Sequence, residues 1–504
     1  MTKHSIKEDV GLVVDEVKHI AHAVDQEATQ FERSIGLISN FSLGFTYLSP
    51  LTAVYSLFAL AITLAGPPSI WWILIVAIGQ LLVAVVFGET ASQYPITGGL
   101  YPWARRLWGR KYAWMAAWIY LWALVVTVTS IVEYSSGFVL SLLHFAPTAM
   151  NNLVTSVILL LVIMVVNMSG TKNLARVARI GFWCEILSVI GLGLYLLIFH
   201  RAQPFSVVFD SMGVLASNGS YFSAFMSASL LGLFMFFGFE ACGNVAEEVQ
   251  NPSRQIPVAM ILSIVFGAVS AILSVLGYLM ASPNLLKIVS GKVTDPIPAI
   301  LNEALGTTGA NIFIVVAIVA MLSCILSLQA ALSRLVFSFA RDEMLPNSRW
   351  MAKLSKQGVP DNAMIVSCIL PILLCFLVYF QPDSLARITA FAVIGIYCAF
   401  QMVVLAALRQ RFKGWKPAGE WTVGAWGMII NILALAYGIF AIYLLAQPAT
   451  GNSFVDRWIV LIGLGFVIGS GLVYMFVAKP YNKSQAPEDD AVAYAAQLRA
   501  KSNV

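Results

Sequence analysis

The sequence predicts an all-α polytopic membrane protein with twelve transmembrane helices. Hydrophobic residues make up 59% of the 504 residues, only 11% are charged, and the mean hydropathy is +0.82. A soluble domain carries about 25% charged residues, so this composition excludes an ordinary soluble protein. The apolar residues are also grouped into runs of about 20, the length at which an α-helix crosses the hydrocarbon core of a bilayer.

Twelve apolar runs of this kind follow one another along the chain. An even number of crossings places both ends of the chain on the same side of the membrane. The longest connection on the other side covers residues 282–310, where a short helix through Glu303 could form an outer lid or a passive connector. The runs cover residues 36–65, 70–92, 113–143, 153–168, 180–199, 222–246, 258–281, 311–338, 363–380, 385–408, 424–446 and 457–478.

The distribution of basic residues predicts the orientation. Membrane proteins keep an excess of Lys and Arg in their cytoplasmic connections. If the N-terminus is cytoplasmic, 25 of the 30 basic residues lie inside and five lie outside. The chain is therefore predicted to be a multi-pass protein of the cell membrane with both termini in the cytoplasm. The net charge of +5 then reflects topology and not nucleic-acid binding. The five outer basic residues are Arg201, Lys287, Lys292, Arg387 and Arg457.

The polar ends of the chain and the positions of its Cys and His residues narrow the class of membrane protein further. Residues 1–34 and 479–504 are expected to be cytoplasmic tails too short to fold alone, with residues 5–31 either a membrane-surface helix or a mobile tail. No cleavable signal is expected before the first run. The six cysteines all lie inside apolar runs and the five histidines all lie outside them, which argues against a disulfide frame or an embedded haem. No enzyme, metal or cofactor is predicted.

The sixth apolar run carries an acid at its midpoint. A carboxyl group there costs several kcal/mol unless it faces protein or water, so Glu240 is a candidate functional residue. Gly238 and Gly243 on either side indicate that the helix is broken, which is tolerated where the freed backbone lines a cavity. The alternative is a kinked packing helix in which Glu240 is neutral and hydrogen-bonded.

The first apolar run is interrupted at a matching place, where Gly44, Ser49, Pro50 and Thr52 gather. Taken alone, Pro50 would indicate an ordinary kink. Two interrupted helices that begin their respective five-helix units instead indicate a transporter site between inverted repeats. Half-helices that end in mid-membrane direct N–H groups at a carboxylate and free carbonyls at an ammonium group. No Lys or Arg lies at mid-depth in any run.

Five other acids in or beside apolar runs are candidate functional residues. Glu133 in the third run and Glu185 in the fifth could bind a coupling ion or the substrate, or could be neutral acids bonded to a neighbouring helix. Glu89, Glu247 and Glu248 flank cytoplasmic connections rich in arginine. Ion pairs that close an inner gate are one interpretation, but solvated charges are favoured because exposed pairs contribute little.

Three long segments, in order along the chain, resemble one transporter superfamily. They are similar to the helix ends and loops of the amino acid–polyamine–organocation transporters, and the chain most resembles their amino acid/choline branch, which includes 4-aminobutyrate and choline permeases. The segments are Glu89-Thr-Ala-Ser-Gln-Tyr-Pro-Ile-Thr-Gly-Gly-Leu-Tyr-Pro-Trp103; Gly238-Phe-Glu240 with Ala246-Glu-Glu-Val-Gln-Asn-Pro-Ser-Arg-Gln-Ile-Pro257; and Ser333-Arg-Leu-Val-Phe-Ser-Phe-Ala-Arg-Asp-Glu-Met-Leu-Pro346 with Val359-Pro-Asp-Asn-Ala363.

The resemblance implies two inverted five-helix repeats, residues 35–200 and 221–409, followed by helices 11 and 12 in residues 424–478. It also implies alternating access, with substrate contacts at the breaks of helices 1 and 6. Many relatives have a Gly-x-Gly turn in helix 1, whereas this chain has Pro50-Leu51-Thr52, so a substrate other than a common α-amino acid is plausible. The predicted substrate contacts are Tyr47, Ser49, Pro50, Leu51, Thr52, Phe237, Gly238 and Glu240.

A cation position is implied where helices 1, 5 and 8 meet, a place filled in some relatives by a helix 5 Lys. Here Glu185 lies at or one residue beyond that position, and Ser323 and Ser327 are one helical turn apart on the eighth run. A carboxylate with two hydroxyls suits a small cation, and the carboxylate could instead take up a proton. Serines in membrane helices also often bond only their own preceding turn. Glu133 is a further candidate for the coupling ion or proton.

These observations together predict a secondary active transporter that imports a small amino acid or amine, such as 4-aminobutyrate, coupled to a proton or sodium gradient. The expected partners are that substrate, the coupling ion and membrane lipid, with no nucleic acid. A choline or polyamine permease or an exchanger is the nearest alternative. A transporter-like nutrient sensor would need a larger signalling tail, and a channel would need a continuous polar stripe through several helices.

Overall fold

The computed structural model describes residues 33–216, 219–293, 296–381, 385–448 and 453–502. Within these ranges the regular structure is helical, apart from an isolated β-bridge between Ile35 and Val249. The expected tail and surface helix before residue 33 lie outside the described residues. The all-α prediction is therefore confirmed.

Twelve membrane spans are present in the described part of the chain, as the sequence predicts. Eleven come from helices long and apolar enough to cross a bilayer, and the sixth is a shorter, interrupted helix. Span 1 comprises Leu37–Leu48 and Pro50–Ala65, and span 6 comprises Tyr221–Ser227, Leu230–Met235 and Ala241–Asn244. The remaining helices are Trp71–Gln93 (span 2), Arg110–Leu142 (span 3), Ala149–Met168 (span 4), Thr171–Ile186 continuing to Phe199 (span 5), Pro252–Ala281 (span 7), Pro296–Arg341 (containing span 8), Asp361–Phe380 (span 9), Leu385–Phe412 (span 10), Gly427–Leu445 (span 11) and Phe454–Ala478 (span 12).

The spans divide into a buried centre and a periphery. Spans 1, 3 and 10 bury most of their most apolar stretch, whereas spans 4, 5, 11 and 12 bury a third of it or less. On span 12, Phe466, Phe476 and Val477 are each more than 70% exposed. Large apolar side chains on the outer surface are what a lipid environment requires, because hydrocarbon is then their solvent. The buried centre is therefore where a polar site can be protected from lipid.

The helix that contains span 8 begins outside the membrane-length segment. Gly306, with φ of 67°, separates the stretch from Pro296 to Leu305 from the span itself. This short helix contains Glu303, so the predicted helix in the connection 282–310 is confirmed. A second short helix, Leu285–Val289, precedes it.

The connections 94–109, 342–360 and 413–423 lie on the other side, and many of the arginines are in them or in the helix ends beside them. We call these connections and helix ends the arginine-rich side. A short helix, Leu100–Trp108, lies between spans 2 and 3 on this side. The helix Ala491–Ser502 also packs there, with Ala491 and Ala495 fully buried.

Candidate substrate and coupling site

Span 1 is broken at Ser49. The helix Leu37–Leu48 ends there, Ser49 adopts a left-handed conformation with φ of 41°, and a second helix starts at Pro50. Proline suits this first helical position because its missing N–H would have no intrahelical acceptor. Proline also disfavours the α conformation in the residue before it, which places the break at Ser49.

Span 6 is broken between Met235 and Ala241, and the break lies directly against span 1. Gly238 has φ of 116°, a conformation that favours glycine. A Cβ atom added to it would lie 2.6 Å from the backbone nitrogen of Leu48. The two breaks predicted from the sequence therefore face each other, and their contact depends on glycine.

Glu240 lies at the span 6 break and is fully buried. Its Oε2 accepts a hydrogen bond of 2.7 Å from the Gly238 N–H, and its Oε1 accepts one of 2.9 Å from the Tyr120 hydroxyl. Tyr120 belongs to span 3 and was not predicted as a site residue. Tyr120 and Glu240 lie 120 residues apart in the sequence, so no local sequence pattern could have predicted their hydrogen bond.

Two aromatic side chains of the predicted substrate set pack together beside Glu240. The rings of Tyr47 and Phe237 meet edge to face with centroids 6.3 Å apart. The Tyr47 hydroxyl faces Tyr120 and Glu240 but has no hydrogen-bond partner among the described residues. The structure thus brings Tyr47, Phe237 and Gly238 of the predicted substrate set together beside the carboxyl group of Glu240.

The second half of span 1 begins with backbone N–H groups that already have acceptors. Leu51 N–H donates to Glu185 Oε1 at 3.3 Å, and Thr52 N–H donates to Ser49 Oγ at 3.3 Å. Ala53 N–H donates to the Ser49 carbonyl at 3.2 Å. A side-chain carboxylate from span 5 therefore lies where a half-helix N-terminus attracts negative charge.

Span 8 contacts the first half of span 1. The Ser327 and Thr46 hydroxyls share a hydrogen bond of 2.9 Å, and the Cys324 thiol donates to the Tyr47 carbonyl at 3.4 Å. Ser323 packs against Gly181, where an added Cβ would lie 2.1 Å from the serine side chain. Gly181 is one helical turn before Glu185, so spans 1, 5 and 8 meet around the residues predicted to bind the coupling ion.

Glu133 lies apart from this group. It lines a cavity of about 30 Å³ together with Asn152, Cys375 and Tyr379, between spans 3, 4 and 9. One of its carboxyl oxygens has no hydrogen-bond partner among the described residues. The structure therefore does not bring this predicted coupling residue together with Glu185, Ser323 and Ser327.

The acids on the arginine-rich side form buried ion pairs, so the preference for solvated charges was wrong. Glu248 and Arg334 are fully buried and pair through two hydrogen bonds, of 3.0 Å from Nε and 3.3 Å from Nη2. The Thr171 hydroxyl also donates to Glu248 at 2.5 Å. An arginine can satisfy a carboxylate with two parallel hydrogen bonds, which offsets the free-energy cost of burying both charges. Glu89 is likewise buried and pairs with Arg411.

Further pairs join the ends of spans 6 and 8 to the connection after span 2. Arg341 pairs with Glu247 at 3.2 Å, and Glu247 accepts a hydrogen bond of 3.0 Å from the Thr97 N–H. Asp342 pairs with Arg105 and accepts a hydrogen bond of 2.7 Å from Tyr101. Buried ion pairs and hydrogen bonds therefore join spans 6 and 8 to the connection after span 2 on the arginine-rich side.

The segment after span 12 packs on the same connection. Arg106 pairs with Asp490 at 2.7 Å and lies over the rings of Tyr94 and Tyr494 at 4.7 and 5.1 Å. Asp489 pairs with Arg409 at 2.8 Å. The partners of these adjacent acids depend on the fold, because they lie far away in the sequence.

Comparisons with known proteins agree with this architecture. A family model described as amino acid permease matches residues 35–469. The chain is 25% identical over 476 residues to an uncharacterised amino-acid permease of Schizosaccharomyces pombe, covering 89% of this chain and 84% of the relative. It is 24% identical over 460 residues to a choline transporter of Saccharomyces cerevisiae, covering 88% and 80%. It is also 24% identical over 426 residues to an aromatic amino acid transport protein of Escherichia coli K12, covering 80% and 88%.

The family match spans most of the chain and includes both broken helices and the residues that lie against them. These relatives are permeases and transporters, and the presence of a choline transporter agrees with the amino acid/choline branch. The chain is therefore a multi-pass membrane protein that belongs to the amino acid permease family, within the amino acid–polyamine–organocation superfamily.

Proposed function

We propose that this protein is a secondary active transporter that imports a small amino acid or amine, such as 4-aminobutyrate, by alternating access coupled to a cation gradient. The observation that carries the proposal is the direct contact of the two broken spans at Gly238 and Leu48. Broken helices that meet at mid-membrane expose backbone dipoles only where a ligand or ion can use them. Glu240 and Tyr47 supply the polar groups beside this contact, and Phe237 supplies apolar surface.

The coupling ion is proposed to act at Glu185, with Ser323 and Ser327 on span 8 as further oxygen ligands. Support comes from the meeting of spans 1, 5 and 8, where Glu185 bonds Leu51 and Ser327 bonds Thr46. A proton on Glu185 would weaken its hold on the half-helix N-terminus, and a sodium ion would compete for the same oxygens. Either event changes the bonding of the break and so couples the ion to the substrate site. Glu133 is a separate candidate for a proton because it lines its own cavity.

The arginine-rich side is proposed to be cytoplasmic and the membrane to be the cell membrane. Support comes from the excess of basic residues in these connections. The ion pairs Glu248–Arg334 and Asp342–Arg105 would then form the closed inner gate, which must separate to release substrate into the cell.

The proposal is tested by uptake into proteoliposomes under an imposed proton or sodium gradient. The expected result is accumulation of labelled 4-aminobutyrate or a related amine that disappears when an ionophore removes the gradient. Glu185→Gln and Ser323→Ala/Ser327→Ala should lose gradient-driven accumulation while still reaching the membrane. Accumulation that survives in both variants would remove these residues from the coupling mechanism.

A choline permease is the second candidate. The observation that favours it is the similarity to a choline transporter over 88% of this chain. Labelled choline in the same proteoliposomes distinguishes the two candidates. An exchanger would show uptake only when the vesicles are loaded with a counter-substrate.

A further inference from the structure

We propose that the segment after span 12 is an inhibitory clamp, which slows transport by opposing separation of the proposed inner gate. The clamp comprises residues 486–499, which pack on the connection after span 2, on the end of span 10 and on the connection after span 10. The inference goes beyond the proposed function but rests on it, because the inner gate belongs to that function. Its basis is that the clamp and a gate residue are bonded to the same short helix.

The clamp bonds the last turn of the helix Leu100–Trp108 through its backbone. The Asp489 N–H donates to the Arg105 carbonyl at 3.2 Å, and the Asp490 N–H donates to the Arg106 carbonyl at 3.1 Å. Carbonyls in the last turn of a helix have no partner further along that helix, so donors from another segment can satisfy them. The clamp therefore fixes the end of this short helix.

Span 10 joins the same junction. The side-chain amide of Gln410 donates to the Leu107 carbonyl and to Asp489, each at 2.5 Å. Asp489 also pairs with Arg409 at 2.8 Å and with Lys413 at 3.1 Å. The clamp, the short helix and the end of span 10 are therefore held together by one set of hydrogen bonds.

Buried contacts continue along the clamp. Ala491 and Ala495 are fully buried, and the side-chain amide of Gln93 donates to the Ala491 carbonyl at 3.2 Å. The rings of Tyr94 and Tyr494 stack with centroids 5.2 Å apart. The clamp thus has a specific, packed binding surface on the arginine-rich side.

The clamp is also able to detach without unfolding a span. It follows span 12, which buries only 17% of its most apolar stretch. Its ion pairs with Arg409 and Lys413 are partly exposed, and pairs of this kind contribute little stability. Segments of this kind open locally at a lower free energy than the core.

The short helix carries one half of the proposed inner gate. Arg105, whose carbonyl accepts from Asp489, pairs through its side chain with Asp342 at the end of span 8. The Tyr101 hydroxyl, on the same helix, donates to Asp342 at 2.7 Å. Separation of this gate requires the short helix and span 8 to move apart. The clamp opposes that movement, because its own hydrogen bonds must break before the short helix can leave span 10.

Two variants of the whole chain detach the clamp by different means. Asp489→Asn/Asp490→Asn removes the charges of its ion pairs, and Ala495→Glu places a carboxylate in a fully buried contact. Glu303→Gln/Glu420→Gln is the matched control, because it removes two charges at exposed positions. Hydrogen exchange within the clamp should be at least tenfold faster in both detaching variants than in the control. Unchanged exchange in both would overturn the assigned contacts.

Ser338→Cys, added to each variant, reports opening of the arginine-rich side without requiring transport. Ser338 on span 8 is 1% exposed, and a Cβ added to Gly98 in the connection after span 2 would lie 2.4 Å from its Cβ. A maleimide reaches residue 338 only when these two elements separate, and mass spectrometry measures its modification in purified protein. We expect modification at least fivefold faster in the detaching variants than in the control. Native Cys368, which is 1% exposed, should stay unmodified in each variant and so shows that the spans remain folded.

Initial uptake into proteoliposomes measures the effect on transport, and we expect it to be at least threefold faster in the detaching variants. The inference is overturned if the clamp is detached but residue 338 is modified, or solute taken up, at the rate of the control. Modification of Cys368 in both detaching variants would also overturn it, because the clamp would then be part of the fold and not a separable element. Faster modification of residue 338 without uptake by any variant would support the clamp and contradict the proposed transport.

Discussion

The backbone of Gly238 in span 6 lies so close to Leu48 in span 1 that a Cβ atom would be 2.6 Å from the Leu48 nitrogen. The same atom would lie 2.8 Å from the Tyr47 ring. This contact joins the two broken helices at the depth where both helical ladders are interrupted. It can persist only while residue 238 has no side chain.

Gly238→Ala is therefore expected to destabilise the protein and abolish transport. Overpacking of this kind costs about 1–3 kcal/mol, and a non-glycine residue held at positive φ costs a further ~1–3 kcal/mol. Thermal unfolding in detergent and uptake in proteoliposomes measure the two effects. Gly137→Ala is the matched control, because Gly137 lies in a helix and no atom lies within 4 Å of its added Cβ. Equal stability of the two variants would contradict the proposed close contact.

Tyr120→Phe is expected to reduce uptake at least tenfold with a smaller effect on folding. The substitution removes the hydroxyl that donates to Glu240 at 2.9 Å and leaves one carboxyl oxygen without that partner. An unsatisfied buried acceptor costs about 1–3 kcal/mol. Tyr112→Phe on the same span removes a half-buried hydroxyl that donates to the Met402 carbonyl instead, so it controls for the loss of a hydrogen-bonded hydroxyl. Uptake by Tyr120→Phe at the wild-type rate would show that transport does not require the hydrogen bond between Tyr120 and Glu240.

Glu240→Gln is expected to lose most uptake, or its dependence on pH, while still reaching the membrane. The carbonyl oxygen of glutamine can accept from the Gly238 N–H, and its NH2 group can donate to the Tyr120 hydroxyl, so the break should keep its shape while the charge of residue 240 is lost. Initial uptake rates at several pH values measure the effect. A variant with the wild-type rate and pH profile would make Glu240 a packing residue.

Glu248→Ala is expected to destabilise the protein by about 3–5 kcal/mol, the usual cost of leaving one partner of a buried ion pair uncompensated. The uncompensated partner is Arg334, which is fully buried. Replacing both partners by leucine should recover much of this loss. Arg176→Gln, an exposed change on the same side, should alter stability by less than about 0.5 kcal/mol. Similar unfolding temperatures for Glu248→Ala and Arg176→Gln would show that the pair is not buried in solution.

Acidification from pH 8 to pH 5 is not expected to release the segment after span 12. Burial opposes ionisation of Asp489, but hydrogen bonds from Arg409 and Lys413 outweigh it and lower its pKa. The stability from Asp489 is therefore present above its unfolded pKa of about 3.9 and is lost only as the pH falls through its lower folded pKa. Burial raises the pKa of Asp490, so the docked segment takes up a proton there more readily than the free one.

The two carboxylates have opposite signs, but neither causes release in this pH window, because the contribution of Asp489 is lost only below its unfolded pKa of about 3.9 and acidification favours docking at Asp490. Hydrogen exchange of residues 486–496, corrected for the intrinsic pH dependence of exchange, checks this expectation. Asp489→Asn should increase exchange at every pH in the window. Release of the wild-type segment near pH 6 would mean that another group controls docking.

Much of the architecture could be predicted from the sequence because its causes are local. Run length and hydrophobicity give the number of spans, since each helix must satisfy its own backbone hydrogen bonds in lipid. Pro50 and Gly238 mark the two breaks because each restricts or frees the backbone at its own position. The orientation, the repeat boundaries and the roles of the site residues remain predictions.

The partners of the buried acids were decided only by the tertiary structure. Glu240 bonds Tyr120, Glu185 bonds Leu51, and Glu248 bonds Arg334. In each pair the partners lie in different helices or turns, and a rotation of a helix by one residue, about 100°, would turn its bonding group away. The positions of the charges in or beside the spans could therefore be predicted from the sequence. Glu248 was predicted to be solvated, because its burial depends on an arginine in another helix. Local chemistry determined where this chain can break, whereas helix packing decided which groups fill the breaks.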